Sequence, residues 1–269
     1  MPVSYQPQLY HLSHIDQLEV CFQKDYQNPW ALILDVPSVS IAILTQNKKN
    51  NYTEEYLNFR EAFWLACKQK YGDKLWNGTV CTVETIRVKD QKIILEMGKC
   101  EYKDIMYKNQ VGLEKFKAFG LGRLIAHSFT CILPILKNKQ IVLGVVGAGT
   151  VQSPGLIDII GGTLNLDEKP ITSFENIQQM TVNELQEETG MKISLLQLIP
   201  YSINYHDGCC FFLFVVKMQT DSIMSKFQSN DELSRLLCIS LEALKNSTKT
   251  MTNDVKFMLA YADCLNRDF

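Results

Sequence analysis

The 269-residue chain has no C-x-x-C pair, no long apolar run and almost no net charge, and each absence closes a class of function. Its nine cysteines (Cys21, Cys67, Cys81, Cys100, Cys131, Cys209, Cys210, Cys238, Cys264) are odd in number and scattered, without the spacing of a zinc or redox site. Reduced thiols, several of them in buried strands, are expected. No stretch approaches the roughly 18 apolar residues of a membrane span. The start, MPVSYQPQLYHLSHIDQLEV, has neither a basic region nor an apolar one of the kind that directs secretion. A cytoplasmic protein with no membrane partner is therefore expected, and the Asn-x-Ser/Thr matches at Asn51, Asn77 and Asn246 carry little weight. With 27 basic against 29 acidic residues, the formal charge of -2 supplies no field to recruit nucleic acid. An anionic substrate must then be held locally, by metal or a few cations. Internal repeats and low-complexity linkers are also lacking.

What is present suffices for a full core: 46% of the residues are hydrophobic, in a length that fits one large domain or two modest ones. Residues 30–46 contain two apolar runs broken by Pro37, read as strands joined by a turn. Tyr56, Phe59, Phe63 and Cys67, after Thr53 and before Gly72, have helical spacing. TVCTVETIRV and QKIILEMGKCEY, on either side of Lys89-Asp90, predict a β-hairpin. Gly120-Leu121-Gly122 marks a boundary, with Tyr102, Met106, Phe116 and Phe119 as core candidates before it.

Beyond that boundary, His127–Leu136 and Gln140–Val146 predict a second hairpin, and Ser153-Pro154-Gly155 turns into LIDIIGG. A helix is expected over 172–189 with Gly190 at its C-terminal cap, opened by Thr172 and Glu175 as a capping box. Strands follow at 193–200 and, after Asp207-Gly208, at CCFFLFVVKM; a last amphipathic helix covers about 252–266. Strands mixed with a few helices give an α/β or α+β sandwich rather than a regular βαβ series.

The stretch that carries chemistry is GGTLNLDEKPITSFENIQQMTVNELQEETGM, residues 161–191. Phe174, Ile177, Thr181 and Leu185 form the buried stripe of its helix. Glu184, Glu187 and Glu188, at i, i+3 and i+4, crowd their carboxylates along one edge beside it. Like charges this close cost stability unless a cation sits among them, and hard oxygen ligands suit Mg²⁺ or Mn²⁺. The alternative is a solvated acidic face. A glycine pair at a strand end, a loop, a helix ending in E-x-x-E-E-x-G and then an apolar run resembles the Nudix box. Residue by residue the match is Gly162, Glu184, Leu185, Glu187, Glu188, Gly190 and Met191.

The chain departs from that pattern in two ways. Asn183 stands at the arginine position, and fourteen residues separate Glu168 from Asn183, more than the family's interval. Glu175 restores the interval but would put Lys169 where the glycine belongs, so Glu168 is preferred.

The resemblance implies a Nudix α/β/α sandwich over 121–269, an N-terminal α+β accessory region over 1–120, and a metal-dependent pyrophosphohydrolase. It implies Glu184, Glu187, Glu188 and Glu168 as metal ligands, with a further acid from a later loop, Asp231 or Glu232; a helix-cap pair is the other reading of those two. Gly161, Gly162, Arg123 and His206 are the candidates for substrate contact. EYKDIM (101–106), GLGRLIA (120–126) and PGLIDIIGG (154–162) also give the chain a layout similar to animal Nudix hydrolases acting on UDP-glucose and UDP-galactose. That implies a nucleotide-sugar substrate cleaved to UMP and sugar 1-phosphate, with no nucleic-acid partner; ADP-ribose or a dinucleotide is the alternative substrate. A catalytically silent domain that binds nucleotide or a protein partner is the rival reading, and Asn183 favours it. Oligomeric state is not legible.

Gly147-Ala148-Gly149 imitates the start of a dinucleotide fingerprint, but Gln152 occupies the third glycine position and no helix follows, so a turn is expected. Arg87 could also bind phosphate, and Trp30, Trp64 or Trp76 could stack a nucleobase. For each of these, surface charge or core packing is the plainer reading.

Overall fold

The computed structural model describes residues 6–36, 38–46, 50–167, 169–218 and 227–268. Pro37 and Glu168, singled out above, lie outside the described residues. The architecture is mixed α/β: the described residues form thirteen strands in one branched, curled hydrogen-bonded sheet, with helices against it. In chain order the strands are β1 (Gln8–His11), β2 (Gln17–Cys21), β3 (Trp30–Ile33), β4 (Ser40–Thr45), β5 (Thr79–Lys89), β6 (Lys92–Glu101), β7 (His127–Leu136), β8 (Gln140–Val146), β9 (Ile157–Asp158), β10 (Ile160–Thr163), β11 (Leu198–His206), β12 (Cys209–Met218) and β13 (Leu233–Ser240). The helices are α1 (Glu54–Tyr71), α2 (Tyr102–Val111), α3 (Leu113–Phe116), α4 (Phe174–Thr189), α5 (Leu241–Lys245), α6 (Asn253–Ala260) and α7 (Ala262–Asp268). No helix among the described residues is long and apolar enough to cross a membrane.

The sandwich follows from strands that are apolar on both faces. In β12, Cys210, Phe212, Phe214 and Val216 face the core shared with α4, while Phe211, Leu213 and Val215 face the core shared with α6. Such a strand reads as a continuous apolar run, because period-two alternation vanishes when both sides are covered. β12 pairs with β7 in parallel over ten residue pairs and with β11 antiparallel. β11 also pairs with β3, so hydrogen bonds run between the N-terminal strands and the sheet that follows residue 120.

The turns obey their chemistry. Asp90 and Gln91, at φ of 51° and 59°, join β5 to β6; Asp207 and Gly208, at 47° and 76°, join β11 to β12. Two consecutive positive φ values match the right-handed twist of a tight hairpin. The second hairpin, β7–β8, is present as expected.

Several expectations shift. On α1 the buried face is Tyr56, Arg60, Trp64 and Cys67 rather than the predicted stripe; Phe59 is exposed. The run 193–200 starts as a 3-10 turn at Leu195–Gln197, and β11 begins only at Leu198. The predicted 252–266 helix breaks at Tyr261 into α6 and α7. Helix α4 is capped by Ser173 with Asn176, not by Thr172 with Glu175, since the short Asn amide reaches back to the Ser173 N–H. Asp231 and Glu232 precede strand β13 and therefore cap no helix.

Candidate active site

Helix α4 sets the acidic edge of the site. Ile177, Thr181 and Leu185 are fully buried against the sheet, and the aliphatic pair, Ile177 and Leu185, contribute about 1.5–3 kcal/mol of transfer free energy each. Thr181 Oγ1 also hydrogen-bonds Thr130 of β7 and the Ile177 carbonyl, fixing the helix's rotation. Glu184 and Glu188 consequently point down onto β10, while Glu187 is exposed farther round.

The glycine pair of β10 is explained by that approach. A Cβ on Gly162 would fall 2.2 Å from Glu184 Oε1, and one on Gly161 would fall 2.0 Å from the Thr130 carbonyl oxygen. A side chain at Gly162 would displace the Glu184 carboxylate, and one at Gly161 would push the neighbouring strand away. The Gly161 N–H instead donates to Glu188 Oε2 at 3.1 Å.

Glu188 is 7% exposed, and burial together with Glu184 and Glu232 holds its pKa well above the carboxylate range, against the Gly161 hydrogen bond. Asp158, at the end of β9, is pushed up to about 7 by burial and by Asp254; the Thr252 hydroxyl at 2.7 Å and the Ile159 N–H at 2.8 Å only partly offset this. Asp254 meets His206 Nε2 at 2.8 Å. Burial alone would lower the pKa of His206, yet its hydrogen bonds to Asp207 and Asp254 outweigh burial and raise it to about 9.

These carboxylates share one cavity of about 590 Å³, lined by Asp158, Glu184, Glu187, Glu188, Glu232 and Asp254 together with Lys74, Trp76 and Tyr102. Glu232 arrives on a loop pinned by Asn230. The Oδ1 of Asn230 accepts the N–H groups of Glu232 and Leu233 at 3.0 and 2.7 Å, and its Nδ2 donates to the Glu188 carbonyl at 3.1 Å. Gly147 and Gly149 make room for the same loop: a Cβ there would lie 2.4 Å from the Asp231 carbonyl oxygen and 2.8 Å from Asp231 Cβ, respectively. The Gly-Ala-Gly run is thus a clearance for the acidic loop.

Of the residues singled out from sequence, Glu184, Glu187, Glu188, Glu232, Gly161 and Gly162 all line this cavity. Arg123 does not: its guanidinium bonds Asn50 Oδ1 at 2.6 Å and lies 3.9 Å from Glu84. His206 is 2% exposed, stacked on Phe257 with centroids 4.8 Å apart, and reaches the cavity only through Asp254. Arg87 pairs with Glu96 and Glu19. Asn183 is exposed and accepts from Gln179 within the helix at 2.9 Å. Two cavity acids escaped sequence reading. Asp158 left a trace, as the one charge in LIDIIGG; Asp254 sits in the first turn of α6, where an acid is ordinary.

The donor set suits a hard divalent cation. Among the described residues no three His, Cys, Asp or Glu side chains are gathered tightly enough to hold a metal as they stand. The carboxylates to attract one are gathered all the same: Glu184, Glu187 and Glu188 line one cavity with Asp158, Glu232 and Asp254. Glu184, Glu187 and Glu188 are the residues that would hold Mg²⁺ or Mn²⁺.

No family model and no curated protein matches the chain. Among solved structures, the chain is similar to a MutT protein from Methanosarcina mazei Go1, with 18% identity over 52% of this chain and 94% of that one and a TM-score of 0.40. A MutT/nudix family protein from Enterococcus faecalis is similar at 12% identity over 62% and 73% of the two chains, TM-score 0.40. The NUDIX domain of Shewanella oneidensis NrtR, complexed with ADP ribose, is similar at 10% identity over 51% and 87%, TM-score 0.36.

Proposed function

We propose that the chain is a Nudix-type, metal-dependent pyrophosphohydrolase that cleaves a nucleoside diphosphate sugar, with UDP-glucose or UDP-galactose giving UMP and sugar 1-phosphate. The observation that carries this reading is the Glu184–Glu188 edge of α4, seated on Gly161-Gly162 in one cavity with Asp158, Glu232 and Asp254. Mutually repelling, partly buried carboxylates destabilise a fold that has no cation to place among them. A divalent ion, when bound, polarises phosphoryl oxygens and lowers the pKa of a bound water.

The chain's own groups do the rest. Glu184, Glu187 and Glu188 would hold the ion, and the Gly161 N–H donates to Glu188 Oε2. Glu232, carried on the Asn230-pinned loop, accepts the proton of the attacking water at its carboxylate. Water adds across the P–O–P bond, and the two phosphates part. Lys74 offsets charge on the diphosphate. Asp254 is held by His206 beside Asp158. The substrate class and the metal rest on the sequence resemblance and the donor chemistry together.

A panel of UDP-glucose, UDP-galactose, ADP-ribose, NADH, diadenosine polyphosphates and dNTPs, assayed with Mg²⁺ or Mn²⁺ for wild type and Glu188→Gln, tests the reading. UMP released from UDP-sugars and lost in the variant supports it in full. Cleavage of ADP-ribose instead keeps the chemistry and moves the substrate. A second reading, a silent domain that binds nucleotide or a protein partner, draws on Asn183 facing solvent; binding without turnover of any panel member would establish it.

A further inference from the structure

Besides its carboxylates, the cavity has an aromatic wall of Trp76 and Tyr102 that the hydrolytic reading leaves unused. The three tryptophans differ sharply: Trp30 and Trp64 are 4% exposed, whereas Trp76 is 43% exposed and lines the cavity. Its indole is not a stray surface ring. The ring lies so closely over Gly78 that a Cβ there would fall 1.8 Å from Trp76 Cζ2, and it packs on Tyr102 with centroids 5.5 Å apart and planes tilted by 51°.

The segment that carries it is clamped from both sides. Asn77 Oδ1 accepts the Lys103 N–H at 2.9 Å and Asn77 Nδ2 donates to Glu101 at 3.2 Å, while the Tyr102 N–H donates to the Gly78 carbonyl at 2.9 Å and the Thr79 N–H to Asp167 at 2.8 Å. Tyr102 is itself fixed, its hydroxyl accepting from Gln152 Nε2 at 2.7 Å. A large apolar ring held rigidly toward a cavity, and left uncovered there, is preorganised for a flat partner.

We propose that Trp76, supported by Tyr102, is the platform on which the nucleobase of the substrate stacks, and that it accepts purine and pyrimidine alike. The proposal rests on the reading of the cavity as a nucleotide site. A cavity lined at once by carboxylates, Lys74 and an indole suits a ligand that carries an anionic group and a planar ring. Stacking uses the π-face that every base has, so this wall reads the presence of a base rather than its identity. Discrimination between UDP-sugars and ADP-ribose then falls to the groups that meet the other end of the substrate.

Uridine and adenosine, which carry no phosphate and need no metal, probe the wall directly. Titrated into the full chain in EDTA, both are expected to quench tryptophan emission; Trp76→Ala removes the quench and weakens both by roughly ten- to a hundredfold, while Trp76→Phe keeps binding within about threefold. With metal and the substrate identified by the panel, Trp76→Ala raises KM by a similar factor and leaves kcat within about threefold. Equal binding of both nucleosides by wild type and Trp76→Ala overturns the platform. Weakening of only one overturns its indifference to base, and no nucleoside binding by wild type overturns it altogether. If Trp76→Ala melts early, Trp76→Phe and the wild-type quench decide. Trp76-dependent binding in a chain that hydrolyses nothing would keep the platform and remove the proposed reaction; hydrolysis abolished by Glu188→Gln but untouched by Trp76→Ala would do the reverse.

Discussion

Among the described residues, the surroundings of the buried carboxylate Asp104 and those of the cavity carboxylates are built on opposite rules. Asp104, 1% exposed at the start of α2, accepts from Tyr52 at 2.7 Å, Tyr56 at 2.5 Å, Arg60 at 2.7 Å and the Glu101 N–H at 2.9 Å. Burial first, and then the Asp104 charge, push the Tyr52 and Tyr56 phenols up, so both stay protonated as donors. A cation and three neutral donors satisfy one carboxylate. At the cavity the proportions invert: Glu188 has one backbone donor against Glu184, Glu232 and Asp158, and Asp158 has a hydroxyl and a backbone N–H against Asp254. Charge that is balanced holds a fold together; charge left unbalanced marks the place where an ion and an anionic substrate supply the balance.

The sharpest way to break this contrast is to remove one charge from each cluster. Glu188→Gln keeps the shape and the acceptor for the Gly161 N–H while deleting a ligand, and is expected to lower kcat by about a thousandfold, within the span that general acid–base and metal-ligand losses produce. Residual activity above a tenth of wild type would remove Glu188 from the chemistry. Asp104→Ala does the opposite: it removes the buried acceptor that Tyr52, Tyr56 and Arg60 share and leaves Arg60 only Glu61 and Glu101, at a cost of about 3 kcal/mol of stability by denaturant melts. The fraction that folds is expected to hydrolyse with kcat within about threefold of wild type, because Asp104 does not line the cavity.

A smaller effect carries the more telling sign. Asp158 is held at about 7 in the fold against 3.8 in the unfolded chain, so the folded state keeps a proton that the unfolded state sheds. The stability this confers is fully present below pH 3.8 and is lost as pH rises through about 7. Metal-free protein should therefore weaken between those limits. Asp158→Asn should flatten that slope and stabilise the metal-free chain at pH 8 by roughly 2 kcal/mol, a rise of several degrees in Tm for a chain of this size. Urea melts in EDTA at pH 5 and pH 8 measure it; destabilisation at pH 8 would mean that Asp158 is balanced after all. A stabilising substitution that also lowers turnover is the mark of a functional charge.

How far all this was legible in the sequence follows from the range of the forces involved. The hairpin turns at Asp90 and Asp207-Gly208, the αL cap at Gly190 and the α4 stripe are local, written in adjacent residues, and stand where sequence placed them. The α1 face was misread because Arg60 and Trp64, a charged residue and a bulky one, are drawn inward by Asp104 and by Cys67 and Leu75, partners fixed by tertiary packing. In the site, the E-x-x-E-E helix and Gly161-Gly162 were legible because their spacing is the geometry. Asp158 and Asp254 were not, since only the closure of β9 against β8 and the placement of α6 bring them beside Glu188. The role of Gly147 and Gly149 is likewise invisible until Asp231 lies against them.

The smallest expected effect concerns Asn183. If arginine at this position were needed to orient a catalytic carboxylate, its loss would weaken the whole hydrolytic reading and favour a silent domain. Here the side chain is exposed and spends its oxygen on Gln179, one turn back on the outer face of α4, while Glu188 takes its orientation from the Gly161 N–H. Restoring the arginine with Asn183→Arg is then expected to change kcat/KM by less than about threefold and stability by no more than about 0.5 kcal/mol, as for surface substitutions in general. A gain of a hundredfold would show that the arginine reaches the carboxylates by a path the resting structure does not display, and that this chain works below the capacity of its own site. No gain from an inactive chain would move the cause of silence away from Asn183 and onto the carboxylates themselves, where Glu184→Gln and Glu232→Gln, compared for metal affinity by calorimetry, separate a lost ligand from a lost base.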